Sequence, residues 1–241
     1  MSATPPHPID ADALAAQLQA DPSAAFASLR EAARSGQVHA QMLLAQMYME
    51  GKGVARDKEA ALLWYATAAN NGHALAMNML GRCHELGEGT AVDCSLAAVW
   101  YQRAAEAGLD WGMYNHANLL ATGRGVPRDG ARALALYTQA AHAGHAKSMN
   151  LLARHLEDGL ETERDPQAAL HWYRRSAEAG DFRGQANYAS ILLQQGAVEQ
   201  ALPLLRQALA HGSPAFMAHI VPELAASEHP QIRELVAHRV A

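Results

Sequence analysis

The chain has 241 residues, half of them hydrophobic but only 6% aromatic, and its 19 Lys and Arg are outnumbered by 24 Asp and Glu, for a net charge of −5. That balance argues against a surface that coats nucleic acid, although a local basic groove remains open. No stretch approaches the roughly 20 apolar residues of a membrane span, and Met1 to Ala20 contains neither Lys nor Arg nor a continuous apolar run, so no membrane segment or secretory signal is expected and a cytoplasmic location follows.

In chain order, residues 1–8 hold three prolines and no pattern and read as a flexible tail. Residues 9–36 read as N-terminal capping helices: a degenerate one over Ile9 to Ala20 using Leu14 and Leu18, then Asp21 to Gly36. The next stretch is DKEAALLWYATAANNG, Asp57 to Gly72, and it recurs from Asp93, Asp129 and Asp165, always 36 residues on. A fixed period of this size predicts a stacked solenoid. Each copy reads as one helix, B. The Asp is a good N-cap because its carboxylate can accept from a free N–H of the first turn, and the closing Gly can take the left-handed conformation. Between them Ala61, Trp64, Tyr65, Ala68 and Ala69 recur as Ala97, Trp100, Tyr101, Ala104 and Ala105, the spacing of an amphipathic helix's buried stripe.

A second helix, A, precedes each copy, starting near Val38, His73, Leu109, His145 and Asp181. Two of its positions are always small: Ala45, Gly81, Ala117, Ala153, Ala189, and Ala40, Ala76, Gly112, Ser148, Gly184. Residues this small at every repeat fit a place where backbones approach closely. Met77, Met113 and Met149 recur in step, which favours core filler over an adaptable binding surface. In the A-to-B loops, such as EGKGVARD, the first Gly ends helix A and the second permits a tight turn; Glu161 replaces that second Gly in the fourth copy, so its loop is expected to differ in shape. After Gly180 the register shortens to 32 residues, closing at Gly212, and two capping helices are expected over Pro214 to Ala226 and Gln231 to Val240. The organisation is therefore a tail at 1–8, caps at 9–36, a repeat array at 37–212 of about five helical pairs, and C-terminal caps at 213–241.

With its Gly-x-Gly-Val, Trp-Tyr and Ala-Ala-x-x-Gly elements repeated, the chain resembles the Sel-1-like repeat family, relatives of the tetratricopeptide repeats, over roughly Asp21 to Gly212. The resemblance implies an all-α fold, a right-handed α/α superhelical solenoid of Sel-1-like helix-turn-helix repeats. It implies an adaptor or scaffold role rather than an enzyme, as in family members that serve signalling, protein quality control and bacterial host interactions. Cysteine-rich members carry a disulfide in each repeat; Cys83 and Cys94 alone place this chain outside that subgroup, with both expected as free thiols.

Related helical-pair repeats line a concave groove with their A helices. Projected onto this chain, that geometry makes outward-facing positions of His39, Met42, Gln46 and Met49, then Leu75, Asn78, Arg82 and Glu85, and their counterparts up to Ala186 and Ser190. The candidate contacts for a protein or peptide partner are Asn78, Arg82, Trp111, Tyr114, Asn118, Lys147, Asn150, Arg154 and Arg183. Asn amides can grip an extended backbone, Arg can fork onto a carboxylate, and Trp111 and Tyr114 can serve as aromatic anchors. The alternative is an ordinary solvated polar face.

No cofactor is expected: no strand precedes the loop glycines, and Lys52 is not followed by Ser or Thr, so GKG is no phosphate cradle. His84-Glu85 lacks the second His of a zincin, the cysteines form no Cys-x-x-Cys pair, and most histidines, His73 and His145 among them, read as surface or turn residues. A metal-dependent hydrolase and a self-assembling architectural subunit remain as alternatives. The expected state is a monomer or weak homo-oligomer.

Overall fold

A computed structural model describes residues 11–237. The expected tail at 1–8 and the end of the last expected helix lie outside the described residues. Among those described there are fourteen helices and no strand. They form two compact units that divide between Asp129 and Gly130.

The first unit contains α1 (Ala11–Ala20), α2 (Pro22–Arg34), α3 (Val38–Glu50), α4 (Lys58–Asn70), α5 (Ala74–Leu86), α6 (Cys94–Glu106) and α7 (Asp110–Thr122). The second contains α8 (Gly130–His142), α9 (Ala146–Asp158), α10 (Pro166–Glu178), α11 (Phe182–Gln194), α12 (Val198–His211), α13 (Pro214–Ala225) and α14 (Pro230–Val236). Within each unit consecutive helices of the repeats pack against one another, so α3, α5, α7, α9 and α11 are the A helices and α4, α6, α8, α10 and α12 the B helices.

The ends of these helices follow from their terminal residues. Asp57, Asp93 and Asp165 accept from the backbone N–H of Ala60, Leu96 and Ala168, each at 2.9 Å. The A helices end on Gly51, Gly87, Gly123 and Gly159, all left-handed. The second loop glycines, Gly53, Gly89 and Gly125, also have positive φ. Glu161 takes the same conformation with φ 58°, so the fourth loop does not depart from the others as its missing Gly suggests. The reason lies one repeat earlier. A Cβ on Gly130 would fall 2.2 Å from Glu161 Oε1, so the glycine at the start of α8 makes room for the side chain that the loop has gained.

The recurring small residues sit where helices touch. Ala40, Ala45, Ala76, Ala117, Ala153 and Ala189 are wholly buried, and a Cβ on Gly81 would lie 2.8 Å from the Tyr101 ring. In the first unit the stripe Ala61, Tyr65, Ala68 and Ala69 packs on Ala45 of α3 and on Ala76, Leu80 and Cys83 of α5. In the second, Ala189 and Leu192 of α11 meet Ala201 and Leu205 of α12, with Leu224, Ile232 and Val236 of the last two helices in the same core. Each fully buried leucine or isoleucine here contributes about 1.5–3 kcal/mol. Met149 belongs to the core as expected of filler, while Met77 and Met113 are only half-buried. Both cysteines are free, and burial pushes the Cys83 thiol up to about 11, out of the reactive range.

Candidate functional site

The A helices carry two kinds of polar residue, and their burial separates them. Arg82, Arg154 and Arg183 are exposed, and Lys147, Tyr114 and Asn118 are half-buried. Trp111 is 42% exposed and meets Tyr114 edge to face, ring centroids 6.0 Å apart, so these two form one aromatic patch on α7. Arg183 lies over the Phe182 ring at 4.9 Å. Asn78 and Asn150, by contrast, are only 6% and 3% exposed. Asn115 Nδ2 donates to Asn78 Oδ1 at 2.9 Å, and Asn187 Nδ2 to Asn150 Oδ1 at 2.8 Å.

The expected outward position of Asn78 and Asn150 is therefore corrected. At the same register Met42 and Ala186 are buried and Tyr114 is half-buried; in the two asparagines the side chain meets the next A helix. The asparagine pairs tie α5 to α7 and α9 to α11. Of the other candidates, Arg82, Trp111, Tyr114 and Asn118 lie in the first unit and Lys147, Arg154 and Arg183 in the second.

The first unit also contains a cleft of about 560 Å³ between α3 and α5. Met42, Met49, Leu75 and Met79 make its apolar lining, and Glu50, Arg56, Arg82 and Glu88 its charged lining, with Tyr65 of α4 reaching it from behind. Glu88 is paired with Lys58 Nζ at 3.3 Å and lies 4.0 Å from Arg82 Nε. Arg56 Nε donates to the Met49 carbonyl at 2.9 Å. Sequence reasoning placed Met42, Met49, Leu75 and Arg82 on this face but missed Arg56, Tyr65 and Met79. The available signal was a break in the repeat: Met49 occupies the register that holds Glu85 and Glu157 elsewhere.

Those two glutamates accept from buried tyrosines. Tyr101 Oη donates to Glu85 Oε2 at 2.7 Å and Tyr173 Oη to Glu157 Oε2 at 2.6 Å; Arg124 Nη1 approaches Glu85 Oε1 at 3.0 Å. Burial first, and then the bonded carboxylate, hold both phenols far above their ordinary range. Tyr65 is raised chiefly by burial, then by Cys83 and Glu50 nearby, and among the described residues it makes no hydrogen bond to a glutamate.

Two histidines thought to be turn or surface residues serve as helix caps. His73 Nδ1 accepts from Ala76 N at the start of α5, and His145 Nδ1 from Ser148 N at the start of α9, both at 3.3 Å. His145 is buried, as is His116. Burial, with His39 Nδ1 only 3.4 Å from His73 Nε2, lowers the His73 pKa below 6.5. The folded state thus keeps an acceptor that the unfolded chain protonates first. The cap's contribution is whole above the ordinary histidine range and is lost as pH falls through it. Between about pH 7.5 and about pH 5 the wild type is expected to lose more stability than His73→Asn, whose amide caps without titrating. Melting temperatures of the two proteins across that range check it.

Among the described residues no group of three or more His, Cys, Asp or Glu is placed to hold a metal ion, and no helix is long and apolar enough to cross a membrane. The Sel1 repeat matches residues 38–73, 74–109, 112–145 and 146–181, each beginning at or near an A helix. The chain belongs to the Sel1 repeat family. It is similar to a Sel1 repeat protein from Oxalobacter formigenes, with 22% sequence identity and a TM-score of 0.80 over 96% of this chain and 100% of that one. It is also similar to c5321, a protective antigen of uropathogenic Escherichia coli with an SLR fold, at 29% identity and a TM-score of 0.73 over 90% of this chain and 48% of the antigen. The immunity protein Pa5087 from Pseudomonas aeruginosa is similar in fold, at 18% identity and a TM-score of 0.55 over 88% of this chain and 89% of that one. No curated protein sequence matches. In Sel1 repeat terms the cleft belongs to the first two matched repeats, ahead of the Trp111–Tyr114 patch at the start of the third.

Proposed function

We propose that this Sel1 repeat chain is a non-catalytic interaction scaffold that takes a protein or peptide partner on its A helices. The observation that carries the reading is the cleft between α3 and α5, where thioether and leucine side chains lie beside unevenly paired arginines. Flexible methionines adapt to an apolar side chain, and guanidinium groups hold the polar backbone or carboxylates around it. The Trp111–Tyr114 patch and Asn118, with Lys147, Arg154 and Arg183 on the second unit, are further contact candidates. Asn78 and Asn150 enter the proposal as the acceptors that hold neighbouring A helices in place. The reading sets the scaffold in the cytoplasm, where Cys83 and Cys94 stay reduced.

The self-assembling alternative has one observation in its favour. Leu63 and Val99 occupy the same register of successive B helices and are 68% and 46% exposed. A photo-crosslinking amino acid placed at Leu75, in the cleft, or at Leu63, on helix B, separates the two in the native cell. Crosslinks from position 75 to another protein, absent from position 63, are the expected result. Products of twice the chain's mass from position 63, with none from 75, would replace the scaffold by a self-assembling subunit.

A further inference from the structure

The four matched repeats place a tyrosine at one register of helix B: Tyr65, Tyr101, Tyr137 and Tyr173. For Tyr101 and Tyr173 the preceding A helix supplies a glutamate acceptor, Glu85 or Glu157, 16 residues earlier. Tyr137 has contacts of its own. For Tyr65 the residue at that register is Met49, whose thioether is at best a weak acceptor. Tyr65 is buried as deeply as the others, at 1% exposure, and it lines the cleft. Among the described residues its hydroxyl makes no hydrogen bond, and its oxygen is not sealed from solvent but opens into the cleft.

The cleft thus holds a donor whose acceptor is missing, and the chain itself shows which group completes such a site. The cations are also in position. Among the described residues Arg56 bonds through its Nε, on the Met49 carbonyl, and its two terminal nitrogens make no bond. Arg82 shares Glu88 with Lys58, at the longer of the two separations. The charged lining is balanced, Arg56 and Arg82 against Glu50 and Glu88, and Lys58 from outside the cleft holds Glu88, which leaves Glu88 less of its charge for Arg82.

We propose that the cleft binds an acidic peptide, a partner glutamate accepting from the Tyr65 hydroxyl as Glu85 and Glu157 accept from Tyr101 and Tyr173, and pairing with Arg56 and Arg82, while a neighbouring apolar side chain covers Met42 and Met79. The inference rests on the scaffold reading and names the chemistry of its partner. It also makes Met49 a specificity residue: a glutamate there would close the site from within.

The test selects peptides on the full-length protein from three libraries of decapeptides with otherwise random sequence: end-capped with one fixed Glu, end-capped with Gln at that position, and the Gln series with a free C-terminus. The expected result is enrichment from the Glu library, with selected peptides binding at least about tenfold more tightly than their Gln counterparts. Met49→Glu should abolish that binding while melting no lower than the wild type, and Tyr65→Phe should remove the preference for Glu. Equal enrichment of Glu and Gln peptides would overturn the carboxylate and leave the scaffold reading standing. Enrichment confined to free C-termini would put a terminal carboxylate in the site instead of a side chain. Glu-selective binding that survives in Met49→Glu would move the site elsewhere, and no enrichment from any library would overturn the proposal and count against the peptide form of the scaffold reading.

Discussion

Replacing Gly89 by Ala is expected to cost about 3 kcal/mol or more, read as a lower urea midpoint for the first unit. Two penalties act together. At φ 78° the backbone is in the left-handed region, where an L side chain is strained. The added Cβ would also fall 2.2 Å from the Lys58 carbonyl oxygen, a backbone atom that no rotamer change can move. Gly53 and Gly125 meet the starts of α2 and α6 in the same way.

The fourth repeat shows how such a loop accepts a side chain: Glu161 stands in the glycine's place and Gly130 opens the facing helix start. Transplanting that arrangement, Gly89→Glu with Lys58→Gly clears the carboxylate end but not the Lys58 backbone, so the pair is expected to lose only about 0.5–1 kcal/mol less than the two single changes added together. Strict additivity in a double-mutant cycle would mean that Gly130 and Glu161 are neighbours without being compensations.

The tyrosines should divide by whether their hydroxyls are used. Tyr101→Phe leaves Glu85 without its phenol donor, and a bond to a charged acceptor of this length contributes about 1.5–3 kcal/mol. Arg124 still faces that carboxylate and water reaches it, so the loss is expected near the lower figure. Tyr65→Phe removes a hydroxyl that makes no hydrogen bond among the described residues, and its stability should stay within about 0.5 kcal/mol of the wild type. Thermal or urea unfolding of the two variants side by side checks the contrast. An equal loss at both positions would mean that Tyr65 has a partner in the folded chain, and the acidic-peptide site would lose its donor.

Much of this was legible from residues alone. The 36-residue spacing, the Asp caps, the left-handed glycines and the alternation of Ala, Gly and Ser specify the helices and their ends, because capping and steric exclusion act within a few residues of chain. The buried stripe of helix B, with its tyrosine, is likewise a local property of a helix with one apolar face.

What periodicity cannot state is which neighbour each face meets. Helix A has two faces in contact, one on its own B helix and one on the next A helix, and a wheel drawn for a single helix marks polar residues on the second face as outward. Asn78 and Asn150 fall there, and only their contact with residues 37 positions on turns them from groove contacts into struts. The same holds for Glu161 and Gly130, whose exchange makes sense once the loop is seen against the preceding helix start. Tyr65 is the case with functional weight: its register and burial belong to the repeat, but the unused hydroxyl follows from Met49 standing where two other repeats have glutamate. By itself the sequence determined the repeat unit and its helices, since those depend on short-range geometry; the packing of one repeat on the next decided which polar groups are satisfied internally and which donor is left facing a cleft.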